Sequence, residues 1–392
     1  MGITAKAREG RRGGLVLVTL TAVAVGITYT DHAPLIPLLA RDFGLSDVQS
    51  GLLATALFLA SVVTFLAGGS VADQLGPKGV LTIGLVLALA GNVAFALAPS
   101  YAWLLVAKAI SGLGSGLGFN AGTSYVAGLY GEERSHFGLG IFGGGYPLGG
   151  AIGIWAMPPL AVATDWRGAF WISSGAMALA LALWWSSPDP AATRPAGTML
   201  AAFGCANCWW TSVQHVAGFG LSLAAGTWIT VYLLREFALP LELSGLLGSL
   251  LLVLAVFARP LGGLLMSREH VGSRAVMRLA QLTILLGIAL LALPGRPLLL
   301  ALLGAVAVGL GTGIPYAAVF NTAAASLPSA PGSAQGLAAF GGTGGALLLA
   351  PAMGYAVQTL GFSAGWLLLG AISAVALVAT FLMRGEEDLV RA

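Results

Sequence analysis

Arg41-Asp42-Phe43, Ser50-Gly51-Leu52-Leu53 and Gly68-Gly69 stand in the first half of this chain. Arg235-Glu236-Phe237, Ser244-Gly245-Leu246-Leu247 and Gly262-Gly263 stand in the second. All three pairs share one offset of 194 residues (41 to 235, 50 to 244, 68 to 262). Gly112-Leu113-Gly114-Ser115-Gly116 returns as Gly309-Leu310-Gly311-Thr312-Gly313, and Phe142-Gly143-Gly144 as Phe340-Gly341-Gly342, so the offset drifts by only a few residues. A duplicated unit with small loop changes leaves this pattern. In apolar sequence it is the usual build of secondary transporters, whose substrate site lies at the seam between halves.

The surrounding sequence is of membrane grade. The 392 residues are 57% hydrophobic and only 8% charged, with a mean hydropathy of +0.90. A soluble domain carries about 25% charged residues, so a water-exposed surface cannot be built from this composition. The net charge of +3 says little about partners, and the absence of a basic cluster beyond the N-terminus argues against nucleic acid. Glycine, at 57 residues, is about double its ordinary share and lets helix backbones approach closely in lipid. The two cysteines, Cys205 and Cys208, have C-x-x-C spacing without the βαβ context of a redox pair, and read better as small apolar residues near an interface.

A span needs about 20 predominantly apolar residues. Twelve segments qualify, approximately 14–40, 48–72, 79–98, 101–127, 137–163, 167–187, 213–234, 243–266, 275–294, 297–327, 334–359 and 364–383. The expected fold is an all-α integral membrane protein with two pseudo-symmetric six-helix bundles, 1–187 and 213–392. Residues 188–212, opening with Ser187-Pro188-Asp189-Pro190 and holding Thr193-Arg194-Pro195, form the expected linker, its end lying along the interface through Trp209 and Trp210. The charged start at Lys6, Arg8, Arg11 and Arg12 mimics a signal peptide, but the apolar run is too long and lacks an A-x-A site, so it is kept as the first span. Twelve loop lysines and arginines fall on the side of the termini, among them Lys6, Arg8, Lys78, Arg134, Arg194, Arg268 and Arg391. Arg41, Arg167, Arg235 and Arg296 fall on the other. That bias predicts cytoplasmic termini in a cytoplasmic (inner) membrane.

Gly69-Ser-Val-Ala-Asp73-Gln-Leu-Gly76-Pro77-Lys78 lies between spans 2 and 3 and resembles the G-x-x-x-D-x-x-G-x-[RK] signature of the major facilitator superfamily. Asp165-Trp166-Arg167-Gly168-Ala169-Phe170 is similar to its W-R-x-x-F element. Lys108-x-x-x-Gly112-x-Gly114 is similar to its fourth-span R-x-x-x-G-x-G motif, with lysine for arginine. The resemblance implies the twelve-helix fold and a gate built on Gly69, Asp73, Gly76 and Lys78; the second copy, Gly263 to Arg268, has lost the acid. Gly143 to Gly150 resembles the glycine-proline motif of exporters but lacks its Gly-Pro pair. Arg259-Pro260-Leu261-Gly262-Gly263 resembles the element carrying a substrate-binding arginine in nitrate/nitrite porters and related anion permeases. Those porters place a matching arginine in span 2, eight residues before the motif aspartate. Here that position is Phe65, so half of the clamp is missing.

Charges inside spans are costly, about 2.5–3.5 kcal/mol for Arg, Lys or Asp at a helix centre. The repeat filters them. Asp31 aligns with Ala225, Arg259 with Phe65 and Lys108 with Ala305, so the same scaffold is built without each charge in the other half. Asp31 is a candidate for proton coupling with His32 as a partner, against the plainer reading that it pairs with a basic residue. Arg259 offers a planar fork of donors for an anion, or closes a gate against Asp73. Lys108 binds substrate or forms a structural pair. Asn120, Tyr125, Tyr146, Tyr316, Asn321 and Thr343 are uncharged candidates for the cavity wall, Asn120, Tyr146, Tyr316 and Asn321 being the ones carried as substrate-binding; routine interhelical hydrogen bonds explain them as well. His215 reads as a solvated residue at the start of span 7, and Trp228 as packing or as a stacking surface.

The resulting expectation is a monomeric, proton-coupled symporter of a small organic or inorganic anion, working by alternating access between the halves. The alternatives are a proton-driven exporter of lipophilic compounds, which the buried basic residues oppose, and a non-transporting membrane sensor, which the intact gate motif opposes. No phosphate loop, metal-ligand cluster or nucleophile–base spacing appears, so no enzyme activity, metal or cofactor is expected.

Overall fold

A computed structural model describes residues 2–130, 136–189, 199–267 and 271–389, apart from the side chains of 2–9, 66–74, 120, 136–137, 199–200 and 267. Among the described residues, twelve helices are long and apolar enough to cross a membrane. The first six are Gly10–Phe43, Asp47–Phe65, Pro77–Ala96, Tyr101–Tyr130, Gly138–Ala163 and Trp166–Trp185. The second six are Ala206–Phe237, Leu241–Met266, Ser273–Ala292, Leu298–Ser326, Pro331–Leu360 and Phe362–Leu389. They are numbered here as spans 1 to 12. The described residues contain helices, turns and loops and no strand. Helices are what lipid permits, because each satisfies its own backbone where no water can. Their outward faces remain apolar, with Leu264, Leu348 and Phe381 exposed by 62%, 66% and 67%. Such a surface belongs in hydrocarbon.

Local chemistry sets the ends. Ser46 caps span 2, its hydroxyl accepting from Gln49 N while Gln49 Oε1 accepts from Ser46 N, a reciprocal capping box. Asp165 caps span 6 through Gly168 N at 2.6 Å. Gly76, at φ +74° and ψ 150°, closes the helix that runs on from span 2 as far as Leu75. Only glycine adopts that conformation without cost.

The recurring loop elements form local supports in each half. Asp42 Oδ2 accepts from Trp166 Nε1 at 2.8 Å, and Arg167 stacks on Trp166 while donating to the Ala98 carbonyl. In the second copy Glu236 accepts from Arg296 at 2.9 Å, and Arg296 also donates to the Tyr232 hydroxyl.

Two departures from the sequence reading concern spans 1 and 7. Span 1 breaks after Thr30, turning through Asp31 and His32 into a short 3-10 segment at Ala33–Leu35 before resuming at Ile36. Pro34 and Pro37 lack the N–H groups that an unbroken helix needs there. Span 7 begins at Ala206 rather than at 213, so Trp209 and Trp210 belong to its first turns instead of to an interfacial linker. Trp209 is nevertheless 43% exposed and stacks on Phe203. The helix then widens into one π-helical turn, Val216–Gly220. The middle of the expected linker, with Thr193, Arg194 and Pro195, lies outside the described residues.

The halves meet chiefly along two pairs of helices, span 2 with span 11 and span 5 with span 8. At the end of the bundle away from the termini this seam is tight. A Cβ on Gly51 would lie 2.7 Å from Pro351 Cα and 2.8 Å from the Ala350 carbonyl oxygen, so only glycine permits the approach. Arg235 holds Asp47 with two hydrogen bonds of 2.8 and 2.9 Å, and Thr55 donates to the Leu347 carbonyl.

Candidate functional site

Between the halves lies a cavity of about 50 Å³, several times the ~10–15 Å³ that one water requires. Spans 1, 2, 4 and 5 contribute Tyr29, Phe58, Phe65, Phe119 and Tyr146. Spans 7, 8, 10 and 11 contribute His215, Phe219, Arg259, Tyr316, Phe320 and Thr343. A smaller recess shares His215, Phe219, Arg259 and Tyr316 and adds Ser222 and Thr312.

Arg259 is the cation on this wall. Its guanidinium lies 4.1 Å from the centre of the Tyr316 ring, and Nη1 donates to the Gly143 carbonyl at 3.0 Å, across the seam. No carboxylate among the described residues pairs with it. A guanidinium has five N–H donors in a fixed fork, so an anion can still be gripped. Phe65, its partner position in the repeat, lines the same cavity and packs on Phe119 at 5.5 Å.

Asp31 and Lys108 are elsewhere. They form an ion pair inside the first six-helix unit, with exposures of 0% and 2%, and neither is on the cavity wall. Lys108 Nζ also donates to the Thr28 carbonyl at 2.9 Å and sits 5.0 and 5.6 Å from the ring centres of Phe95 and Phe170. His32 Nδ1 lies 3.5 Å from Asp31 Oδ1. Both His32 nitrogens and Asp31 Oδ2 are buried without a hydrogen-bond partner. The structure therefore places Lys108 against Asp31, not against the space where substrate would sit. A desolvated ammonium requires a close counter-charge, and Asp31 is the one within reach.

Of the uncharged candidates, Tyr146, Tyr316 and Thr343 line the cavity. Tyr125 instead donates to the Pro188 carbonyl at 2.7 Å, and Asn321 is exposed at the end of span 10 beside Glu386. Trp228 is fully buried, with Nε1 on the Ala350 carbonyl at 2.9 Å, a packing role. The Asn120, Gly69 and Asp73 positions lie outside the described side chains. Gly76 and Lys78 are described. Lys78 Nζ reaches the Ser187 carbonyl at 2.5 Å and Asp189 at 3.6 Å, tying the loop to the end of span 6.

His215 is the residue the sequence reading misplaced. It is 7% exposed, stacks on Phe219 with ring centres 5.6 Å apart and meets the Phe320 ring edge-on at 5.0 Å. The earlier start of span 7 moves it from the membrane surface into the cavity. The run Asn207-Cys208-Trp209-Trp210-Thr211-Ser212 is polar and aromatic enough to pass for an interface. Its only countersign is Gly218 and Gly220, which sit in the π-turn just beyond.

A twelve-span bundle with a central cavity at the seam of a repeat is the architecture of a membrane transporter. The family model of the Major Facilitator Superfamily matches residues 17–270 and 210–391, and the chain belongs to that superfamily. It is 28% identical over 351 residues to the probable nitrate/nitrite antiporter NarK1 of Thermus thermophilus, covering 81% of this chain and 78% of that one. It is 23% identical over 337 residues to the probable nitrate transporter NarT of Staphylococcus epidermidis, covering 84% and 86%. Among solved structures, a D-xylose-proton symporter superposes with a TM-score of 0.80 at 14% identity, covering 95% of this chain and 98% of that one, a likeness of fold alone. The chain is thus a multi-pass membrane transporter and not an enzyme.

Proposed function

We propose that this protein is a secondary transporter that moves a small anion across the cytoplasmic membrane by alternating access, driven by protons. The observation that carries the anion reading is Arg259. It is a cation on the wall of the cavity between the halves, with no described carboxylate on it and an apolar counterpart, Phe65, in the other half. Two relatives named for nitrate, each aligned over about four-fifths of this chain, support the same charge preference. His215 and the Tyr316 hydroxyl stand beside Arg259 as further donors. By its place in span 4, Asn120 is a further candidate for the wall.

Proton coupling is assigned to the buried Asp31–Lys108 pair, with His32 beside it. A proton arriving on Asp31 discharges the pair and leaves Lys108 a single buried cation. That change alters the packing of span 1 against span 4 near the break at 31–35. The 3-10 turn there packs against spans 5, 7 and 8, so it touches both halves. With the termini on the cytoplasmic side, as the loop charges suggest, the tight seam of Gly51, Thr55 and Asp47–Arg235 faces outward. The hydrogen bonds between the halves among the described residues run from Arg259 to that outer end. Gly69, Asp73, Gly76 and Lys78 would then serve the inner gate, and the working unit is a monomer.

The test is a screen of small anions for thermal stabilisation of the purified protein, repeated with Arg259→Ala. Stabilisation by at least one anion, lost in Arg259→Ala, is expected. Equal stabilisation of parent and variant removes Arg259 from the binding role.

A further inference from the structure

We infer that the substrate is an amphipathic anion, a short-chain monocarboxylate of about two or three carbons. Its carboxylate would lie on Arg259 and its alkyl end against Phe58, Phe65 and Phe119. This rests on the anion reading above and narrows it.

The cavity is chemically two-sided. Arg259, His215 and Tyr316 stand on one wall, with the guanidinium over the Tyr316 ring and the Tyr316 hydroxyl reaching toward Gly143. The opposite wall is built from rings. The hydroxyls on that wall already have partners or lie away from the space. Ser61 Oγ donates within hydrogen-bond range of both the Leu57 and Gly112 carbonyls, each at 3.0 Å. Ser115 and Tyr29 hydrogen-bond each other at 2.7 Å. Tyr146 presents its ring, and its hydroxyl is buried with no accessible surface.

An inorganic oxyanion such as nitrate carries oxygens in every in-plane direction. With two on Arg259, the third points at rings, and a desolvated polar atom without a donor is costly. A carboxylate has both oxygens at one end and hydrocarbon at the other, which matches this division of the walls. Phe65 is the decisive residue, because a second basic side chain at that position would make the cavity charged on both walls. Size sets the length. The cavity of about 50 Å³ is well below the ~150 Å³ that accommodates benzene, so an aromatic acid does not fit and the alkyl chain is limited to that of acetate or propionate.

The experiment is calorimetric titration of the purified full chain in detergent with sodium nitrate, formate, acetate, propionate and hexanoate at neutral pH and constant ionic strength. Affinity should rise about fourfold for each methylene from formate to propionate, the transfer value for a buried CH₂. Propionate should bind at least about tenfold tighter than nitrate, and hexanoate should fall off because its chain outgrows the space. Phe65→Ala should flatten the chain-length dependence, and Phe65→Arg should reverse the order so that nitrate binds tighter than propionate. Nitrate binding as tightly as propionate in the parent, with Arg259→Ala abolishing both, overturns this inference and leaves the anion reading intact. Absence of any Arg259-dependent binding overturns both. The titrations of the parent decide the matter even where a Phe65 variant does not fold.

Discussion

Replacing Lys108 with methionine strands Asp31. In the parent, Asp31 has Lys108 as its cation; afterwards, among the described ion pairs, it keeps only the His32 imidazole, with Nδ1 at 3.5 Å. Removing one member of a buried pair costs about 3–5 kcal/mol, because the remaining charge stays desolvated. The reciprocal change, Asp31→Asn, is milder. Lys108 then retains the Thr28 carbonyl at 2.9 Å and the faces of Phe95 and Phe170 at 5.0 and 5.6 Å. Cation–ring contacts of this kind contribute about 0.5–2 kcal/mol, so a loss of about 2–3 kcal/mol is expected. The double variant Asp31→Asn/Lys108→Met leaves no charge at this site and should return to within about 1 kcal/mol of the parent. The pair therefore shows as strong non-additivity in unfolding titrations in mixed micelles. Transport separates stability from coupling: both variants lacking Asp31 should lose uptake driven by a pH gradient while anion exchange across proteoliposomes persists. Single-variant losses that simply add in the double, or a Lys108→Met protein as stable as the parent, would refute the reasoning.

Three further outcomes follow from the seam and its loops. Gly51→Val places a branched side chain where Pro351 Cα is 2.7 Å from the Cβ position. It should hold the outer seam open, abolishing transport while raising the labelling rate of a cysteine introduced at the seam. Arg235→Gln removes a partly exposed pair with Asp47 worth only about 0–1 kcal/mol of stability. Its melting temperature should stay near the parent's while outer-side accessibility rises. Gly76→Ala forces alanine to φ +74°, a strain of about 1–3 kcal/mol, readable as a lower melting temperature with unchanged anion affinity.

The sequence made the twelve spans legible because lipid allows only long apolar helices, and run length reads them directly. The repeat singled out Asp31, Lys108 and Arg259 because no equivalent charge stands in the other half. It could not show that two of them neutralise each other. Residues 77 apart in the chain meet only once spans 1 and 4 have packed, and spacing carries no record of that. Only folding therefore shows that, of the three, Arg259 is the one with no carboxylate partner among the described residues. His215 escaped for a different reason. A polar, tryptophan-bearing helix start resembles a membrane interface, and the widened turn that follows has no strong composition of its own. Asn321 and Tyr125 were polar residues in the right spans on the wrong faces, an ambiguity that a long helix without a clear apolar stripe leaves open.

The central claim is that anion transport runs through Arg259. Proteoliposomes containing the parent or Arg259→Ala, loaded with the tightest-binding anion of the screen and given the same labelled anion under an imposed pH gradient, test it most directly. The account predicts uptake by the parent above protein-free liposomes, dissipated by a protonophore, and uptake at the liposome background for Arg259→Ala despite normal folding. Equal initial rates for the two proteins would contradict it.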